Sequence, residues 1–302
     1  MSLRPAWLTF RRYAAATTGM TLTLFALGVY TAATGSGLAC EAQWPLCSDQ
    51  LIPALTINPD FIEWFHRAWA MITGFLIIGT AGWTWLGSFD RRTRLAATLA
   101  VAILPLQITV GAITVTVGGL VPGGYTVSTH AAHLIVALTI FTLLGLTTIW
   151  GGGRGSARLL RIAATVGLVG IVASAVFSRA VPFVTYSPGA QAGFYATGLA
   201  GHLGLVATVA FATEAVRSGY AGVSRSTAAT VRLLAAGAMA ALVATLLLGR
   251  DLVLYTAGWE RINLAALGVA VALAAGAAWV ARAPTARAPR RNRSAATDRG
   301  GD

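Results

Sequence analysis

Apolar residues gather in eight long stretches, over residues 13–34, 61–86, 95–117, 127–150, 159–180, 194–216, 232–250 and 260–281, with short polar or Gly-rich breaks between them. Each stretch is close to the roughly 20 residues that a helix needs to cross a hydrocarbon core. Backbone polar groups in lipid must be satisfied within the segment, so the stretches are expected to be helices. The pattern predicts an all-α polytopic membrane protein with eight transmembrane helices. The longest break, residues 35–60, holds both cysteines, Cys40 and Cys47. Another break carries Gly151, Gly152 and Gly153 followed by Arg154, and reads as a link between two four-helix halves, 1–150 and 151–283. Residues 284–302, with Pro284, Pro289 and several arginines, read as a disordered tail. The halves echo each other weakly. His66 in the second stretch has a counterpart in His202 of the sixth, and Gln107 to Gly111 in the third resembles Thr245 to Gly249 in the seventh. Such offsets point to two pseudo-repeated four-helix bundles.

Composition agrees with this reading. Hydrophobic residues make up 56% and charged residues 11% of the 302, against roughly 25% charged in soluble domains. The net charge is +12, and every basic residue is Arg. That excess could suggest nucleic acid, but its placement argues otherwise. Arginines cluster at Arg11 and Arg12, at Arg91, Arg92 and Arg94, at Arg154, Arg158 and Arg161, at Arg217, Arg225 and Arg232, and in the tail. The alternate breaks are nearly free of Arg and hold Glu41, Asp49 and Asp60. This is the positive-inside pattern, which predicts a plasma-membrane protein with both termini cytoplasmic and some attraction to anionic lipid. The first stretch shows no clean cleavage site and reads as a retained helix.

The four histidines, His66, His130, His133 and His202, fall near the outer ends of the second, fourth and sixth stretches. At 1.5 Å per residue they are expected to share one layer, roughly 10 Å below the outer surface. Ionisable groups within membrane helices point to function, and imidazole is a standard ligand of haem iron. The competing reading of each is an interfacial residue bonded to a neighbour. Glu63 precedes His66 by one helical turn and projects to the same side. It could orient the ring, take a proton or touch substrate, or simply pair with Arg67. The cysteine pair lies on the oxidising side, where disulfides persist; a redox-active pair and a metal site are the other readings.

Several motifs carry a resemblance. Residues 35–47, with Gly35-Ser36-Gly37, Cys40 and Gln43-Trp44-Pro45-Leu46-Cys47, are similar to the first outer loop of bacterial haem A synthases. Glu63-Trp64-Phe65-His66-Arg67 resembles the Glu-x-x-His-Arg that follows it. Gln107 through Thr116 and His133-Leu134 resemble the family's third and fourth helices. The resemblance implies oxidation of the haem O methyl group to a formyl, through a hydroxylated intermediate, for cytochrome oxidase. It implies that His66 and His133 hold the substrate haem, that Glu63 is catalytically important, and that Cys40 and Cys47 match the outer-loop pair. Haem O synthase and an electron donor would be partners alongside membrane lipid; nucleic acid would not.

The second half departs from the family. A haem b would be held there by histidines on the sixth and eighth helices. His202 matches the first, but Asn263 stands nearest the second, and Asn is a poor iron ligand. Haem b is therefore in doubt. His130, Arg67 and Arg261 are further candidates for cofactor contacts, as are Arg179 and Arg250, since Arg can pair a propionate. The alternative function is a non-catalytic membrane cytochrome or haem carrier. A transporter is a third reading, but no broken helix pair with central charges is evident.

Overall fold

The computed structural model describes residues 7–41, 43, 46–120, 127–179, 181, 183–249 and 256–283. The tail, Arg250, Trp44 and Pro45 lie outside the described residues. Eight helices follow in chain order: α1 (Phe10–Ala33), α2 (Pro59–Leu86), α3 (Arg91–Gly118), α4 (Val127–Gly151), α5 (Ala157–Val176), α6 (Pro188–Ser218), α7 (Arg225–Leu248) and α8 (Ala257–Val280). All eight are long and apolar enough to cross a membrane. The chain is a multi-pass, all-α membrane protein.

Most helices begin earlier than their apolar stretch, because the cap lies in polar sequence. Asn58, Asp90, Ser156, Ser187, Ser224 and Thr256 each accept a bond from a first-turn amide. Side-chain capping of this kind satisfies amides that have no partner within the helix. Pro59 and Pro188 stand in the first turn of α2 and α6, where a missing N–H costs nothing. Helix α6 therefore starts six residues before the expected 194, and α7 starts at Arg225 rather than 232.

Helix α1 packs on α2 and α4, α2 on α3, and α3 on α4. Helix α5 packs on α6 and α8, α6 on α7, and α7 on α8. Both sets of four close on themselves, and α6 joins them by packing against α1 and α4. The largest core cluster follows this join: Phe25 and Val29 of α1 and Phe141 of α4 meet Phe194, Tyr195 and Leu199 of α6, with Leu242 and Leu246 of α7 behind them.

In lipid, apolar side chains gain little by leaving one hydrocarbon for another, so helices associate through close packing and interhelical hydrogen bonds. The α5–α6 contact shows the first. A Cβ on Gly170 would lie 2.4 Å from Gly201 Cα, and one on Gly204 would lie 2.4 Å from Gly167 N. Two glycines on each helix thus let the backbones touch. The second appears in α1, where Thr17 accepts from Thr80 of α2 at 3.1 Å and Thr18 bonds Thr148 of α4 at 3.0 Å. Such interhelical bonds contribute on the order of 0.6 kcal/mol each in membranes.

Candidate functional site

The ends of α1 to α4 beside the cysteine loop, and the loop itself, bring most of the singled-out residues together. His66 lies about 10 Å below the start of α2, and His133 about 9 Å below the start of α4. The two rings therefore lie at similar depths on α2 and α4. Each faces a glycine. A Cβ on Gly28 of α1 would stand 3.1 Å from His66 Cε1, and one on Gly111 of α3 would stand 3.0 Å from His133 Cε1. Any larger residue at either position would press on the imidazole. His66 Nδ1 is buried without a hydrogen-bond partner. Gln107 of α3, one turn before Gly111, places its Nε2 within 3.2 Å of His133 Nε2 and 3.3 Å of Nδ1, while its own Oε1 is buried and unpaired. A buried polar atom left without a partner costs about 1–3 kcal/mol. A site with two such atoms around paired imidazoles suits a guest that supplies a metal and polar groups. His130 sits half-buried, one turn nearer the outer end of α4.

Glu63 points away from this pair and up into the loop. It is only 3% exposed. Its Oε2 accepts the Cys40 amide at 2.7 Å, and its Oε1 pairs with Arg67 one turn on. Arg67 also donates to the carbonyl of Gln43. Of the readings of Glu63, the structure shows the pairing with Arg67, and it adds a bond that fastens the cysteine loop to the helix that carries His66. Cys40 and Cys47 are buried with Cα atoms 4.3 Å apart. Among the described residues, no group of three His, Cys, Asp or Glu is placed to hold a bare metal ion, so the cysteine pair has no third donor beside it.

Helix geometry moves His202 out of the expected layer. It lies about 21 Å below the start of α6, because that helix begins at Pro188. Its Nε2 bonds Thr142 Oγ1 at 2.9 Å. Thr142 is about 13 Å further along α4 than His133, so His202 occupies a distinctly deeper level. It is 3% exposed, and its Nδ1 has no partner. Asn263 is fully buried in α8 with neither amide atom bonded. The orphaned atoms leave room for a polar partner. Even so, one imidazole already engaged at Nε2 and one amide are not the two histidines that the resemblance implies for a haem b. The residues present do not fit that group. Arg261 lies exposed in the first turns of α8. Arg179 stands over the Tyr186 ring at 5.7 Å.

Gln107, Gly28 and Gly111 were the site residues that the histidine pattern alone did not assign. The Gln-x-x-x-Gly spacing was visible, but which ring it faced depended on the packing of α3 against α4.

Parts of the chain are similar to known proteins. The model of the cytochrome oxidase assembly protein family matches residues 11–196, a stretch holding the cysteine loop, Glu63, His66, Gln107 and His133 but ending before His202. The haem A synthase of Bacillus licheniformis is 35% identical over 121 residues, covering 38% of this chain and 39% of that protein. The protoheme IX farnesyltransferase of Halobacterium salinarum is 35% identical over 127 residues, covering 42% of this chain and 27% of that protein. Its counterpart in Thermus thermophilus is 31% identical over 165 residues, covering 51% of this chain and 26% of that one. The chain thus spans between 26% and 39% of the length of these relatives. With more than half of its length matched by the family model, from α1 into α6, the chain belongs to the cytochrome oxidase assembly protein family, COX15-CtaA.

Proposed function

We propose that the protein is a haem A synthase, oxidising the methyl group of haem O to a formyl through a hydroxylated intermediate. The observation that carries this reading is the placement of His66 and His133 on α2 and α4, each against a glycine and at a similar depth below the start of its helix. Imidazoles from two separate helices would be the groups to hold the iron of a bound haem. Bound haem brings the redox chemistry; dioxygen and an electron donor come from outside the chain. The protein's part is to hold and aim the macrocycle and exclude water. His66 and His133 would hold the iron. Gln107 keeps the His133 ring in place. Glu63 fixes the outer loop over the site and holds Arg67, which can turn to a propionate. Cys40 and Cys47 form a structural disulfide that keeps the loop closed. The same ring of contacts in α1–α4 and α5–α8 supports a duplicated four-helix unit, with substrate in the first copy.

The farnesyltransferase relatives support the assignment of substrate. Part of each resembles this chain, and each is named for adding a farnesyl group to protohaem IX. A farnesylated haem is the class of product this protein would consume. The Arg-rich breaks support a topology with both termini cytoplasmic.

A second reading, a haem carrier or membrane cytochrome, draws on Asn263, buried in α8 where the resemblance calls for a histidine. Haem extraction and mass analysis after expression with a haem O supply separates the two. Haem A or its hydroxylated precursor, absent from a Glu63→Ala control, is the expected result. Bound haem with no oxidised product, under conditions where a known synthase turns over, would replace the enzyme with the carrier. His66→Ala and His133→Ala are each expected to lower haem retention by at least roughly tenfold.

A further inference from the structure

On the Arg-rich face, the gap between the two sets of helices opens into a cleft of about 780 Å³. The volume lies in the range of small-molecule sites, roughly 300–1,000 Å³. Leu146 of α4, Val206, Val209 and Ala210 of α6 and Met239 of α7 give it an apolar wall. It reaches as deep as Thr142. Three arginines from separate elements stand at its mouth: Arg92 in the first turn of α3, Arg154 in the α4–α5 link and Arg217 at the end of α6. Two acids bear on them. Asp90 pairs with Arg92 at 3.1 Å. Glu214 lines the cleft, but both its oxygens accept the Gly155 amide at 3.2 Å, so its role there is to hold the link. Arg154 and Arg217 have no ion pair among the described residues.

An apolar slot at membrane depth with cations at its rim suits a molecule with an anionic head and hydrocarbon tails. We propose that this cleft binds an anionic phospholipid of the adjacent leaflet, its phosphate at Arg154 and Arg217 and one acyl chain along α6 toward Thr142. Basic pockets between transmembrane helices take anionic headgroups in this way, and the guanidinium fork matches phosphate oxygens. The lipid would fill the seam where α4, α6 and α7 meet and hold the two sets of helices together.

The test is lipid retention by the full-length protein, moved from mixed phosphatidylglycerol and phosphatidylcholine nanodiscs into mild detergent and weighed by native mass spectrometry. Wild type is expected to keep one phosphatidylglycerol per chain. Arg154→Gln combined with Arg217→Gln should lower that retention roughly tenfold. Arg158→Gln with Arg225→Gln, which removes equal charge from the same face outside the cleft, should leave it unchanged. Ala210→Phe should displace the lipid by filling the slot without altering charge, which keeps the test decisive if the arginine variant folds poorly. Equal retention of phosphatidylcholine, equal loss in the control pair, or a cleft-dependent porphyrin in place of phospholipid would each overturn the proposal.

Discussion

At the scale of single residues, the site depends on what is missing as much as on what is present. Gly28 and Gly111 have no side chain where an imidazole needs room. We expect Gly111→Ala to lower haem affinity roughly tenfold by pushing on His133, since its Cβ would meet Cε1 at 3.0 Å. Gly74→Ala, on α2, adds a methyl with nothing within 4 Å and is expected to be neutral. Haem titration followed by absorbance compares them. Equal affinities would show that the ring has slack and that Gly111 does not position it. Glu63 works by charge and hydrogen bonding together, since one carboxylate serves Cys40 and Arg67 at once.

At the scale of helices, α5 and α6 are the tightest pair, and sequence composition hides the reason. Glycines are frequent throughout the chain, and only packing shows that Gly167, Gly170, Gly201 and Gly204 meet backbone to backbone. Gly201→Val should force the helices apart and cost about 1–3 kcal/mol or more, as overpacking does. Gly82→Val, where a Cβ meets nothing within 4 Å, should cost little. Thermal unfolding in detergent reads the difference; matching midpoints would mean that α5 and α6 need no close approach. Helix α6 also explains the one layer that sequence placed wrongly. Its N-terminus was extended by Ser187 and Pro188, a cap and first-turn proline in a polar segment that hydropathy does not count.

At the scale of the molecule, the alternation of Arg-rich and Arg-poor breaks predicts sidedness. Ile57, 86% exposed in the loop before α2, should react as Ile57→Cys with a membrane-impermeant thiol reagent on intact cells. Arg91→Cys should react only after permeabilisation. The reverse pattern would invert the topology and put the cysteine loop on the reducing side.

Sequence by itself determined the number and type of helices, because length and apolarity suffice when lipid is the solvent. It also singled out Glu63, His66 and His133 as candidates, because histidine is rare here and Glu63 stands one helical turn before His66. Tertiary structure decided which of them meet. It turned Glu63 toward the cysteine loop, set Gln107 and Gly111 against His133, and sank His202 to the level of Thr142. Those outcomes follow from helix ends, tilts and the side of each helix that packs, and these depend on contacts between segments far apart in the chain, which no local pattern encodes.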